Sequence, residues 1–349
     1  MNVPAAPSFK PTGHPDVKIG KIGILLLNLG TPEATSYWPM RRYLKEFLSD
    51  RRVIEVNPAV WWFILNGIIL STRPKRSGLA YDKIWNRQLN ESPLLTFTRS
   101  QAGKLADAMK ASGVAAEFAM RYGKPGATET ISALKAQGCD RILLFPLYPQ
   151  YCAATTATAL DSCFDALKGM RWQPAIRTVP PYFDHPAHID ALAKSLKQHL
   201  HGLEWKPDRI LASFHGLPED YFKAGDPYHC HCMKTARLLS QKLNLQPGLL
   251  QVVFQSRFGK AEWLKPYAQQ TVEELPGLGV KKLVMITPGF ASDCVETLEE
   301  VAIGLAETFH QKGGTHFSAA PCLNDSDVSI KMLETIARSE LAGWLPPGP

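Results

Sequence analysis

No stretch of this sequence stays apolar long enough to cross a bilayer. The longest such run, AVWWFILNGIIL from Ala59 to Leu70, is broken by Asn66 and Gly67. It falls well short of the roughly 20 residues that a transmembrane helix needs. The first 20 residues, MNVPAAPSFKPTGHPDVKIG, have Pro, Gly and polar residues where a secretory signal would place an apolar core, so they read as a flexible tail. Paired cysteines are missing too. Seven are present, at 139, 152, 163, 230, 232, 294 and 322. An odd number without a signal peptide argues against a disulfide framework and for a reducing, cytoplasmic setting. The spacings of a structural zinc site are absent: in HCHC, His229 to Cys232, the cysteines stand one residue apart and no second pair accompanies them. Excess acid is also lacking. The formal net charge of +7 suits an anionic partner. It comes with no nucleic-acid motif and no interleaving of aromatic and basic residues.

What is present is an α/β pattern. At 349 residues the chain is long enough for two domains, each with its own core. Four segments read as buried strands that start at or beside a basic residue: 21–32, 140–151, 208–218 and 281–293. Helical patterns such as RSQAGKLADAMKASG and PAHIDALAKSLKQHL separate them. This alternation predicts mostly parallel sheets flanked by helices. An internal echo predicts two similar Rossmann-like lobes with a cleft between them. RYGKPG at Arg121 and RFGKAE at Arg257 are each followed by a helix, a glycine turn, a basic-started strand and a proline-bearing loop. Such a cleft is a common place for a small-molecule site. The stretch NDSDVSIKMLETIARSELAGWLPPGP reads as a closing helix with a Ser/Asp cap and a proline stop.

In parallel sheets, ligands gather beyond the carboxyl ends of the strands, so the polar loop tips matter most. His215 stands at one such end, in ASFHGLP. It suits a proton acceptor or metal ligand, or equally a histidine packed at a strand end and bonded to backbone. Asp293 and Glu296 begin a helix whose expected buried stripe is Val295, Leu298, Ala302, Leu305 and Phe309. The two acids could serve catalysis, or simply cap that helix. HCHC reads as a helix start after the GDPY turn. A cluster ligated by Cys230 and Cys232 would need further cysteines, such as Cys152, Cys163 or Cys322. Arg121, Tyr122, Tyr148, Tyr151 and Trp263 offer a cation and aromatic faces, suited to a flat anionic ligand or to ordinary loop packing. The apolar run at 59–70, followed by the basic STRPKRS, reads as a helix with a buried face or as a surface element dipping into a membrane interface.

Taken in order, LLNLGTPE, NESPL, AMRYGKP, LYPQY, SFHGLPEDYFKAGDPY, FQSRFGKAEWLKP and ASDCVETLEE resemble the ferrochelatases, over nearly the whole chain from Ile22 to about Trp344. Any one motif would say little; the ordered set is specific. The resemblance implies an enzyme that inserts Fe(II) into protoporphyrin IX, forming protohaem and releasing two protons, in the last step of haem synthesis. The alternative within the same chemistry is a coproporphyrin III ferrochelatase or a related tetrapyrrole chelatase. By resemblance, His215 and Glu296 form the iron and proton-transfer site, and Asp293 supports it. Arg121, Tyr122 and Trp263 line the porphyrin pocket. Fe(II) is then a substrate, and no organic cofactor is required. Some bacterial relatives hold a [2Fe–2S] cluster on internal cysteines, which leaves a cluster on Cys152, Cys230, Cys232 or Cys322 of this chain as the lesser alternative to none. Cys294 departs from relatives that carry histidine there, which removes a second candidate proton acceptor. Residues 59–76 fall where the family has a lip that touches the membrane, implying a cytoplasmic protein held peripherally on the membrane's inner face. The expected division is a flexible tail over 1–20, a first lobe with the lip over 21–170, a second lobe with the catalytic residues over 171–322 and the closing helix over 323–349. The sequence carries no sign of oligomeric state.

Overall fold

Strand β1, Lys21–Gly30, is buried along nearly all of its length. It lies inside a sheet covered by helices on both faces, so KIGILLLNLG reads as a continuous apolar run without alternation. Its sheet is wholly parallel, in the order β2-β1-β3-β4, with β2 Val114–Tyr122, β3 Cys139–Pro146 and β4 Ala175–Thr178. A second parallel sheet repeats that order as β6-β5-β7-β8: β5 Arg209–His215, β6 Leu250–Gln255, β7 Lys282–Ile286 and β8 His316–Ala319. The computed structural model describes residues 12–259 and 261–345. Of the expected tail, residues 1–11 lie outside the described residues, and 12–20 run exposed without helix or strand.

The internal echo has a structural meaning. Arg121 stands near the end of β2 and Arg257 just past β6, the corresponding edge strands of the two sheets. From each the chain passes through a helix, Ala127–Ala136 or Ala268–Glu274, into the next central strand. Strand β4 lies past residue 170, where the sequence divided the lobes, yet it pairs with β3. It is a short, half-exposed edge strand with no apolar run to announce it.

The lobes share a core. Leu26, Phe145, Ile210, Phe214 and Val284 of the central strands pack in one apolar cluster with Leu105, Leu196, Leu239 and Leu333 from four helices. The closing helix is Asp327–Glu340, capped by Ser326, and it packs on helices Pro93–Met109 and Pro186–His201. Before them, helices Tyr37–Leu48, Pro58–Ile64 and Leu70–Ile84 fold over the end of β2, with Met40, Tyr43, Leu65 and Leu70 packed around Tyr122. The outer side of this cap is apolar and open. Trp62 is 59% exposed, Phe63 69% and Ile68 63%. Among the described residues no helix is long and apolar enough to cross a membrane.

Candidate active site

Strand β5 ends on His215. Its Nδ1 lies 2.6 Å from the Gly216 carbonyl. A carbonyl only accepts, so Nδ1 carries the hydrogen and the neutral ring keeps its lone pair on Nε2. Gly216 is required at the next position. A Cβ there would meet the Gln255 carbonyl at 2.7 Å and the Trp263 ring at 2.8 Å. Trp263 is buried, its ring centre 6.4 Å from that of His215 and 4.8 Å from that of Phe258. The Leu264 N–H donates to Leu217 O at 2.9 Å, tying the Trp263 loop to the turn after His215.

Glu296 opens a ten-residue segment, Glu296–Leu305, wound with the wider i→i+5 bonds of a π-helix. This winding corrects the buried stripe expected from α periodicity. Thr297, Val301, Leu305 and Phe309 face the core at steps of four, while Val295, Leu298 and Ala302 are only partly buried. Asp293 is buried, with both oxygens hydrogen-bonded. Oδ1 accepts from Thr297 Oγ1 at 2.9 Å and from the Cys322 N–H at 3.3 Å, and Oδ2 accepts from Asn324 Nδ2 at 2.6 Å. Glu296 has no cation partner among the described residues. Its carboxylate lies near the Cys294 thiol and the Tyr43 and Tyr81 phenols. Burial pushes all three well up, and the charge of Glu296 adds to each.

Gln255 joins the two halves of the site. It pairs with His215 across the β5–β6 ladder, and its Nε2 donates to the Glu296 carbonyl at 2.9 Å. Ser213 Oγ holds its Oε1 at 2.6 Å. Beside it Glu300 accepts from the Ser256 N–H at 2.7 Å and Oγ at 2.5 Å, which supports Ser256 in left-handed backbone at φ 64°. Sequence reading missed Gln255, because a neutral amide carries no charge signal. The only hint was a polar residue closing an apolar run in FQSRFGK.

Arg121 and Tyr122 lie on the first lobe, in a closed network. Arg121 donates to Asp50 and to Thr158 Oγ1, and the Tyr122 hydroxyl donates to Asp50 at 2.9 Å. Burial alone would raise the Asp50 carboxyl. Bonds from Thr158, the Arg52 N–H and Tyr122, with the charge of Arg121, hold it below the usual carboxylate range instead. Tyr43, edge-on to Tyr81, lies near both Tyr122 of this network and Glu296. A cation the sequence did not single out, Arg73, lies over the Phe258 ring at 5.5 Å, with no carboxylate partner among the described residues.

HCHC starts the helix Tyr228–Lys242 and clasps the lobes together. His231 stacks on Phe183 at 3.7 Å and accepts the Tyr151 N–H on Nδ1 at 3.2 Å. His229 lies between Phe222 and Phe254. The cysteines named for a cluster are not gathered. Cys152 and Cys232 are buried in the core between the lobes, Cys230 is exposed, and Cys322 bonds Thr287 beside Asp293. These residues do not fit a four-thiolate cluster, and no group of three or more His, Cys, Asp or Glu suited to a metal lies among the described residues.

The ferrochelatase family profile matches residues 21–341. A ferrochelatase of Rhizobium etli is 57% identical over 97% of this chain and 98% of its own. Another, of Rhizobium meliloti, is 57% identical over 96% and 99%, and one of Agrobacterium fabrum is 55% identical over 97% and 98%. Among solved structures, SirB from Bacillus subtilis with Fe3+ superposes with a TM-score of 0.54 at 12% identity, covering 93% of this chain and 97% of its own. At that identity the likeness carries the two-lobed fold alone.

Proposed function

The chain belongs to the ferrochelatase family and is an enzyme that inserts iron into a porphyrin; from that premise we propose that its substrates are Fe(II) and protoporphyrin IX and its product protohaem, with His215 and Glu296 as the reacting pair. One observation carries the assignment of the pair: Gln255 bonds the Glu296 carbonyl and ladders with His215, so both sit at the carboxyl end of the second sheet, where His215 Nε2 has no hydrogen-bond partner and the Glu296 carboxylate no cation among the described residues.

Metal insertion removes two pyrrole protons and delivers a partly desolvated cation. His215 has its Nδ1–H fixed on Gly216 O, so Nε2 is the lone pair that takes a proton. Glu296 offers a hard oxygen donor. Imidazole and carboxylate together suit Fe(II). Trp263 forms the wall beside His215 on which the macrocycle lies. Holding it bent toward the product geometry would favour the step. Arg73, without a carboxylate partner and over Phe258 on that same wall, is placed to receive a porphyrin propionate. Asp293, with both oxygens engaged, holds the start of the π-helix. Arg121 and Tyr122 shape the first-lobe side through Asp50.

The exposed Val60, Trp62, Phe63 and Ile68, with Arg73, Lys75 and Arg76 following, favour peripheral contact of 59–76 with an anionic membrane on the cytoplasmic side, where an apolar substrate would arrive. Sedimentation with anionic vesicles checks this: a Trp62→Ser, Phe63→Ser variant that co-sediments like wild type rules it out.

The deciding experiment is anaerobic incubation with Fe(II) and either protoporphyrin IX or coproporphyrin III, followed by the porphyrin-to-haem spectral change. Faster turnover of protoporphyrin IX is expected. Turnover of coproporphyrin III alone overturns the substrate assignment.

A further inference from the structure

Helix Pro93–Met109 belongs to the first lobe, yet it reaches the turn that precedes Glu296. Gln101 on this helix is fully buried. Its Nε2 donates to Asn324 O at 2.7 Å and Ala291 O at 3.4 Å, and its Oε1 accepts from Ser292 Oγ at 3.2 Å. Asn324 takes up the chain of bonds. It sits in left-handed backbone at φ 49°, a conformation asparagine tolerates better than most residues. Its N–H donates to Ala291 O at 3.0 Å. Its Oδ1 accepts the Asp293 N–H at 2.8 Å, and its Nδ2 donates to Asp293 Oδ2 at 2.6 Å. Asp293 Oδ1 then accepts from Thr297, the neighbour of Glu296. Donors and acceptors match at every link, so the buried network satisfies one arrangement of the turn.

The same helix makes a second clasp that bypasses this turn. Ser100 donates to Asp325 Oδ2 at 2.5 Å, and Lys104 reaches Asp325 O at 2.6 Å near the surface. Neither touches Asp293. The two clasps therefore separate docking of the lobes from orientation of the acid.

We infer that Gln101 and Asn324 are positioning residues for the reaction: the first lobe, through these two amides, fixes the turn at 291–293 and so the direction in which Glu296 presents its carboxylate. The inference rests on the reactive role given to Glu296 above. It makes the catalytic geometry conditional on lobe docking, since the acid of the second lobe is aimed by a side chain of the first.

The test measures kcat per porphyrin-binding site, porphyrin Kd, thermal midpoint and the ratio of Zn(II) to Fe(II) insertion rates. The variants are Gln101→Leu, Asn324→Gly, Ser100→Ala and Glu296→Gln. Asn324→Gly keeps the left-handed backbone and its bonds to Gln101 and Ala291 while deleting both bonds to Asp293, so it decides the matter even if Gln101→Leu fails to fold. It is expected to lower kcat on the order of 10²-fold, as misplacement of a reacting group does, with porphyrin Kd unchanged and the metal ratio shifted. Ser100→Ala is expected to leave kcat and the ratio as in wild type. Wild-type kcat and metal ratio in Asn324→Gly, or equal kcat losses in Asn324→Gly and Ser100→Ala, overturn the inference. Full turnover by Glu296→Gln would instead overturn the assignment of the acid on which it rests.

Discussion

β1 and β5 hold the same place in two sheets of the same strand order, and both run into the same kind of turn, Leu29-Gly30-Thr31-Pro32 and His215-Gly216-Leu217-Pro218. Each glycine admits a neighbour's backbone where a Cβ would stand, Tyr122 beside Gly30 and Gln255 beside Gly216. The residue before the glycine differs: leucine in the first lobe, histidine in the second. The titratable groups around the first turn, Arg121, Tyr122 and Asp50, are bonded to one another and to Thr158, while the buried Thr31 hydroxyl, which does not titrate, has no partner among the described residues. Around the second turn, His215 Nε2 has no hydrogen-bond partner and Glu296 no cation among the described residues. A polar group whose bonds are all made inside the protein has nothing left for a substrate. The repeat thus builds the frame twice and leaves reactive valences in one copy.

The largest expected effect comes from breaking that asymmetry at its centre. His215→Ala should lower kcat by about 10²–10⁴-fold, the usual contribution of a placed acid–base group. Porphyrin affinity should stay near wild type, because Trp263 and Phe258 remain. Stopped-flow absorbance for kcat and fluorescence quenching for Kd separate the two. A variant that inserts iron at the wild-type rate would show that the leucine–histidine difference is incidental.

The same contrast explains what was legible in the sequence. Each of the four strands read from the sequence is a central one, β1, β3, β5 and β7, buried on both faces and therefore written as apolar runs. The four missed strands are the sheet edges. There β2 carries Glu117, β4 and β8 are four residues each, and β6 confines its apolar run to Val252–Phe254 between Gln251 and Gln255, so no long run appears. At the site, His215 was legible because a titratable group at a strand end is unusual. Gln255, Gln101 and Asn324 were not, because an amide acts through the partners that the fold brings to it. Tyr43 and Tyr81 were hidden for another reason: only folding brings these cap residues back onto Glu296. The π winding after Glu296 also escaped, since its apolar residues fit an α stripe almost as well.

A smaller effect is expected from opening the closed network of the first lobe. Asp50→Asn leaves Arg121 without its carboxylate and weakens the bonds from Tyr122 and Thr158. It should cost about 2 kcal/mol of stability in urea unfolding, with a far smaller effect on kcat than His215→Ala. The pH dependence has a definite sign. Asp50 is held below the usual carboxylate range, so the folded state gives up its proton more readily than the unfolded chain. That stability is present above about pH 4 and is lost as pH falls through the lower folded value. Asp50→Asn should remove this part of the acid sensitivity. Loss of turnover as deep as in His215→Ala would place Asp50 among the reacting groups and erase the distinction between the lobes.

The smallest effect concerns a histidine that is the reverse of His215. His188 is buried, its ring edge-on to Tyr182 at 5.5 Å, and neither of its nitrogens has a hydrogen-bond partner among the described residues. Burial, with a minor contribution from His185, pushes it down to about 3. The unfolded chain therefore takes up a proton below about pH 6.5 while the folded chain does not. Stability from the neutral ring is full above that value and drains away as pH falls toward about 3. His188→Phe keeps an aromatic ring against Tyr182 and removes two unpaired polar atoms. It should raise stability at neutral pH by about 1 kcal/mol, flatten this part of the acid dependence and leave kcat unchanged. Urea midpoints near neutrality and about one unit below the ordinary histidine pKa test the slope. An unchanged slope would mean that His188 does not titrate as an enclosed neutral ring. A fall in kcat would mean that a histidine without partners serves the reaction from the core as well as from the strand end.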